Sequence, residues 1–107
     1  MQFLLNVLDD QLRHGSDEEM AAVTAFNMRL RDEGKFIYAN GLANPANSIV
    51  FDNRNNKGEM TNGPYVEGKE FIIGFWLLEI DNPKTASEIA SEASLHCNRK
   101  IELRPVL

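Results

Sequence analysis

The chain holds two histidines, and each has neighbours that could recruit it for proton transfer. His14 follows Asp9 and Asp10 after a short interval. A carboxylate beside an imidazole fixes its tautomer and stabilises its cation, as a general base requires. The competing reading is that all three residues form a polar surface connector. His96 stands next to Cys97, but adjacent helical side chains diverge by about 100° around the axis. A thiol activated by this imidazole is therefore set aside, and Cys97 is assigned to the core. His96 remains either a base beside an apolar stripe or a cation favoured by a helix C-terminus. One imidazole with two carboxylates at no fixed spacing makes no metal site.

A second group lies further along. Gly63, Gly68 and Lys69 have the G-x-x-x-x-G-K spacing of a phosphate-binding loop. Glu70 stands where a magnesium-binding Ser or Thr is needed, and an apolar strand follows in place of a helix N-terminus, so nucleotide binding is rejected. Glu67, Lys69, Glu70 and Arg104 are read in two ways. Either they form salt bridges around a turn, or Lys69 and Arg104 hold a small anion while Glu67 or Glu70 orients it.

Regular elements must position these groups. The alternation in Gln2 to Leu8 predicts a mostly buried first strand. Ser16 and Glu19 have capping-box spacing, acids fill the next turn, and Gly34 suits a left-handed stop, so a helix is predicted over about Asp17 to Glu33. Met20, Val23, Phe26 and Leu30 form its apolar stripe. Phe36 to Tyr38 reads as a short strand, and Ser48 to Asp52 with Glu59 to Thr61 as a hairpin around the turn-rich Asn53 to Gly58. Phe71 to Ile80 is the longest apolar run and reads as a central strand. Phe71, Ile73, Phe75 and Leu77 point one way, Ile72, Trp76, Leu78 and Ile80 the other. Gly74 within it suggests a bulge or a close backbone approach. Asn82 and Pro83 open a second helix to about Leu95, and Lys100 to Arg104 is a last strand stopped by Pro105.

That order fits one α+β domain over residues 1 to 107, two βαβ crossovers with an inserted hairpin, as in a ferredoxin-like fold. Two helices cover one face of the sheet. The other apolar face of Phe71 to Ile80 then needs a partner, and a homodimer packed sheet to sheet is the expectation, against loops such as Gly41 to Asn47 folding over it. At 107 residues with net charge −5, and with basic residues scattered among acids, the chain is no nucleic-acid binder. No run reaches transmembrane length, and the segment Phe3 to Leu8 lacks the cationic start and cleavage site of a signal. The single cysteine suits a reducing compartment, so a cytoplasmic protein without membrane partner or cofactor is expected.

The segments TNGPYVEGKE, IGFWLLEID and IELRPV resemble the DGPF-motif branch of the YCII-related proteins. The motif positions are Asn62, Gly63, Pro64, Tyr65, Val66, Glu67, Gly68, Lys69 and Glu70, then Gly74 and Phe75, and finally Glu102, Leu103, Arg104, Pro105 and Val106. The resemblance is specific over residues 59 to 107 and rests on element order before that. It implies a dimeric α+β barrel, two ferredoxin-like chains facing each other. It implies little about reaction: most such proteins have no established activity, and some relatives are enzymes of aromatic degradation associated with a His-Asp pair. Asn62 replaces the motif aspartate, and the first helix carries no histidine.

Three roles follow as expectations. The first is a small-molecule binder with Asn62, Tyr65, Glu67, Lys69 and Arg104 at the ligand. The second is an enzyme of proton-transfer or lyase chemistry on a small cyclic substrate, with His14 or His96 as base and Asp9 or Asp10 as its partner. The third is an interaction or scaffold module.

Overall fold

Strand β1 (Gln2–Asp9) is an inner strand of a four-stranded antiparallel sheet, paired with β5 (Phe71–Glu79) on one side and β6 (Lys100–Pro105) on the other; β2 (Phe36–Gly41) borders β5. The spatial order β2-β5-β1-β6, with α1 (Asp17–Asp32) and α2 (Pro83–Cys97) in the connections, is the ferredoxin-like α+β arrangement. The computed structural model describes residues 1–11 and 15–107. A separate two-stranded sheet, β3 (Ile49–Asp52) with β4 (Glu59–Asn62), is the inserted hairpin.

The cap residues act as their chemistry demands. Ser16 Oγ accepts from Glu19 N at 3.1 Å, and Asn82 Oδ1 accepts from Thr85 N at 2.8 Å. Gly34 takes a positive φ of 72° after α1. The second helix runs past Leu95 to Cys97 because Asn98, at φ 54°, supplies a left-handed stop.

One face of the sheet is closed by both helices. Phe3, Leu5 and Val7 of β1 meet Trp76 and Leu78 of β5, with Phe26 and Leu30 of α1 and Ala86, Ile89, Ala93 and Cys97 of α2. Each fully buried Leu or Phe in such a cluster contributes about 1.5–3 kcal/mol. Met20, expected in the α1 stripe, is instead exposed. It lies in the first turn, beyond the reach of the sheet.

The alternation expected along β5 fails at one point. Val7 pairs with Gly74 and Leu8 with Ile72, so Ile73 is an extra residue in the strand. A bulge of this kind directs two successive residues to one side. Ile73 accordingly packs against the buried cluster with Trp76, and Ile72 is exposed, reversing the expected facing of this pair. A second register shift in β2, around Ile37, leaves Phe36 and Ala39 toward the core.

No helix covers the opposite face. Its cross-strand rows are Tyr38, Leu77, Leu4, Arg104 and Asn40, Phe75, Asn6, Glu102. The first is apolar at its centre. Along the β6 side Glu102 Oε1 accepts from Asn6 Nδ2 at 3.1 Å and from Arg104 Nη2 at 3.0 Å.

Gly74 and Gly41 face each other across β5 and β2. A Cβ on Gly74 would stand 3.0 Å from the Asn40 carbonyl oxygen and 3.4 Å from Gly41 Cα, whereas one on Gly41 would meet nothing nearer than the Ile73 carbonyl oxygen at 3.8 Å. Backbone atoms cannot swing aside as a side-chain tip can. Gly74→Ala is therefore expected to lose about 1–3 kcal/mol in urea unfolding, and Gly41→Ala to stay within about 0.5 kcal/mol of the parent. Equal losses in the two variants would show that the close approach at Gly74 is not what the strand pair requires.

Candidate functional site

The register that opposes Gly41 to Gly74 removes two side chains from the helix-facing side of the sheet. Helix α1 spans the gap without filling it, leaving a half-open cavity of about 350 Å³. Val7, Val23, Ala39, Ile73 and Trp76 give it apolar walls, and the glycine backbones complete them. Among the described residues no charged side chain lines it.

Among the described residues, the polar side chain there with an uncommitted group is Asn27. The indole N–H of Trp76 donates to Asn27 Oδ1 at 2.7 Å. Trp76 is itself held edge-on to Phe26, with ring centroids 5.8 Å apart and planes at 86°. Asn40 also borders the cavity, but its side chain is engaged elsewhere: Oδ1 accepts from Gly41 N and Nδ2 donates to Tyr38 Oη. Burial pushes the Cys97 thiol up and keeps it neutral.

A second polar centre lies where β1 ends. Asp9, expected in a surface connector, is the last residue of β1 and only 8% exposed. Its Oδ2 accepts from Arg99 Nε at 2.8 Å, and its Oδ1 accepts from the amides of Asp10 at 2.8 Å and Gln11 at 3.1 Å. Arg99 Nη1 also donates to the Cys97 carbonyl at 3.0 Å and lies 3.6 Å from Glu19 Oε2. Glu19 thus turns its carboxylate to Arg99, leaving Ser16 to cap α1 from one side only. Burial pushes the Asp9 carboxyl up, but the guanidinium of Arg99 and the two amides outweigh it and hold it below the ordinary aspartate value. An aspartate so held is an acceptor and anchor. A polar cavity of about 260 Å³ opens beside it, bordered by Asp10, Glu70, Asn98 and Lys100.

The other residues singled out from the sequence fall in different places. His14 lies outside the described residues. Asp10 is exposed and next to Asp9. His96 is in the last turn of α2 and packs on Phe26 at a centroid distance of 5.3 Å. Glu67 and Lys69 line a shallow hollow of about 540 Å³ with Pro45, Pro64 and Phe71. Asn62 ends β4, and Tyr65 is 85% exposed. Arg104 is on the uncovered sheet face, paired with Glu102 and absent from the hollow that Lys69 borders. Lys100 is the cation that pairs with Glu70.

Asn27 and Arg99 escaped the sequence reading. For Asn27 a signal existed: it sits four residues after Val23 on the apolar side of α1, where a polar group needs a buried partner, and the chain has one tryptophan. For Arg99 there was none, because its partner Asp9 is ninety residues away. Among the described residues no three of His, Cys, Asp and Glu converge as a metal ion would require, and no helix is long and apolar enough to cross a membrane.

Compared with known protein families, the chain matches the YCII-related domain over residues 1–107. No curated protein gives a match.

Asp9→Asn removes a charge-assisted bond from a buried guanidinium that keeps Glu19 at 3.6 Å, and is expected to cost about 2 kcal/mol at neutral pH. The pH dependence has a definite sign. The native carboxyl is held below its unfolded value of 3.8, so its contribution is complete above that value and lost as pH falls through the native one. Urea titrations of parent and variant should therefore differ by a constant amount above about pH 5 and converge in acid. A gap that widens toward low pH would contradict the assigned role of Arg99.

Proposed function

The chain belongs to the YCII-related domain family, and on that premise we propose that it is a small cytoplasmic homodimer that binds a small molecule between α1 and the sheet. The observation that carries the binding reading is the cavity of about 350 Å³ beneath α1, which no charged side chain lines among the described residues. A half-open, mostly apolar cleft of that size with a few polar groups is the usual form of a small-molecule site. Among the described residues no carboxylate or imidazole borders it. The residues of the turn from Asn62 to Glu70 support the DGPF-motif branch within this reading, and the hollow beside Glu67 and Lys69 is a secondary surface.

The dimer rests on the uncovered sheet face. Tyr38, Leu77 and Leu4 form an apolar row across three strands, with the Tyr38 ring 5.8 Å from that of Phe75. Flanking it, Asn6, Glu102 and Arg104 form a linked polar row that a two-fold related copy could register against. The β3–β4 hairpin supports the same reading. A lone two-stranded sheet is marginal in water, yet this one leaves Phe51 68% and Met60 62% exposed on one side.

Binding is tested with a fragment set and nitrogen-15 NMR. Hits should shift the single indole N–H resonance, that of Trp76, and Gly41→Leu, whose side chain enters the cavity, should abolish those shifts while preserving the fold. Fragments that leave the indole untouched and perturb only residues 64–69 would overturn the site.

Assembly is tested by light scattering at micromolar concentration. The parent should have the mass of two chains, and Leu77→Lys, placing a charge at the centre of the apolar row, the mass of one. A monomeric parent would end the dimer reading.

A further inference from the structure

The cavity under α1 carries information about what it holds, and the inference here rests on the binding reading above. Trp76 Nε1 can only donate, so the Asn27 atom 2.7 Å from it is the acceptor oxygen. The amide orientation is thereby fixed by chemistry: Nδ2, with its two hydrogens, is the group left over. It donates to no described residue, although Asn27 lines the cavity. The indole prevents the amide from turning round, because a flip would set two donors against each other. Asn27 therefore offers a ligand an uncommitted donor, while its acceptor oxygen is already engaged by the indole.

The remaining walls narrow the class further. Val7, Val23, Ala39, Ile73 and Trp76 supply no charge to balance an ion, and an uncompensated ion in such surroundings loses its hydration without return. An apolar cavity of about 150 Å³ holds one benzene ring, so about 350 Å³ takes a molecule of roughly two rings. The Gly41 and Gly74 backbones leave a stretch of the sheet side without side chains, which favours a flat shape.

We propose that the cavity binds a neutral, flat molecule of about two fused rings bearing a carbonyl-type acceptor that takes a hydrogen bond from Asn27 Nδ2. This differs in kind from an anion held by Lys69 and Arg104.

Three probes of nearly one size separate the possibilities: 1-tetralone, tetralin, which lacks the carbonyl, and the tetralin-1-carboxylate anion. Binding to the full chain is followed by fluorescence of Trp76, the single tryptophan, and by calorimetry. Tetralone should bind about tenfold more tightly than tetralin, the worth of one neutral hydrogen bond, and the carboxylate should bind most weakly. Asn27→Asp keeps an acceptor for the indole and removes the donor, so tetralone should lose its advantage over tetralin. Thermal unfolding confirms that this variant is folded; the ranking in the parent protein stands as a test without it. Tetralin binding as well as tetralone, or the carboxylate binding best, would overturn the ligand class while leaving a site that Gly41→Leu still closes. Binding of none of the three would overturn both the class and the site.

Discussion

The contact on which most of this structure turns is the approach of β2 to β5 at Gly41 and Gly74. A Cβ on Gly74 would stand 3.0 Å from the Asn40 carbonyl oxygen, so the strands pair in this register without strain when that position is glycine. Two consequences follow from the same geometry. With no side chains at these two positions, a gap opens beneath α1 that its neighbours cannot close, since Ala39 is small and Trp76 is held by Asn27 and Phe26. The adjoining bulge turns Ile73 inward and Ile72 outward, so β5 gains a core residue at the point where it loses one. The cavity is thus built into the strand register and does not depend on a loop conformation.

The buried Asp9–Arg99 pair does different work at the other end of β1. Arg99 lies in the turn between α2 and β6, Asp9 ends β1, and Glu19 belongs to the first turn of α1, so one guanidinium ties three elements together. An exposed pair of this kind would contribute little. Here Asp9 and Arg99 are both about nine-tenths buried, and their polar atoms are engaged by amides and carbonyls as well as by each other. Its effect is to fix where β1 stops and where α1 begins. Anchoring uses up the acceptor capacity that a proton-transfer role for Asp9 would call on.

Element types and their order were legible in the residues because they rest on short-range rules. Ser16, Asn82 and Gly34 mark helix ends through bonds made within a few positions, and the alternation in β1 survives intact. The facing of Ile72 and Ile73 was not legible. A period of two assumes uninterrupted pairing, and the extra residue in β5 is defined only against Val7 and Leu8 of another strand. The site was hidden for the same reason. Its glycines meet across strands, and Asn27 becomes informative only once the indole of Trp76, forty-nine residues away, is seen to claim its oxygen. Motif reading drew attention instead to the turn at residues 62–70, whose side chains are exposed and divided among separate surfaces.

Strand β5 is the element that joins the cavity to the uncovered face. Trp76 and Gly74 border the cavity, while Phe75 and Leu77, their immediate neighbours, point to the face on which a second copy is proposed to pack. A pleated strand cannot move one set without the other, because successive side chains share a backbone whose carbonyls and amides are bonded to β1 and β2 on both edges. In a domain too small to bury two cores, opposite faces of one inner strand thus carry both surfaces, the one proposed for a ligand and the one proposed for a second copy.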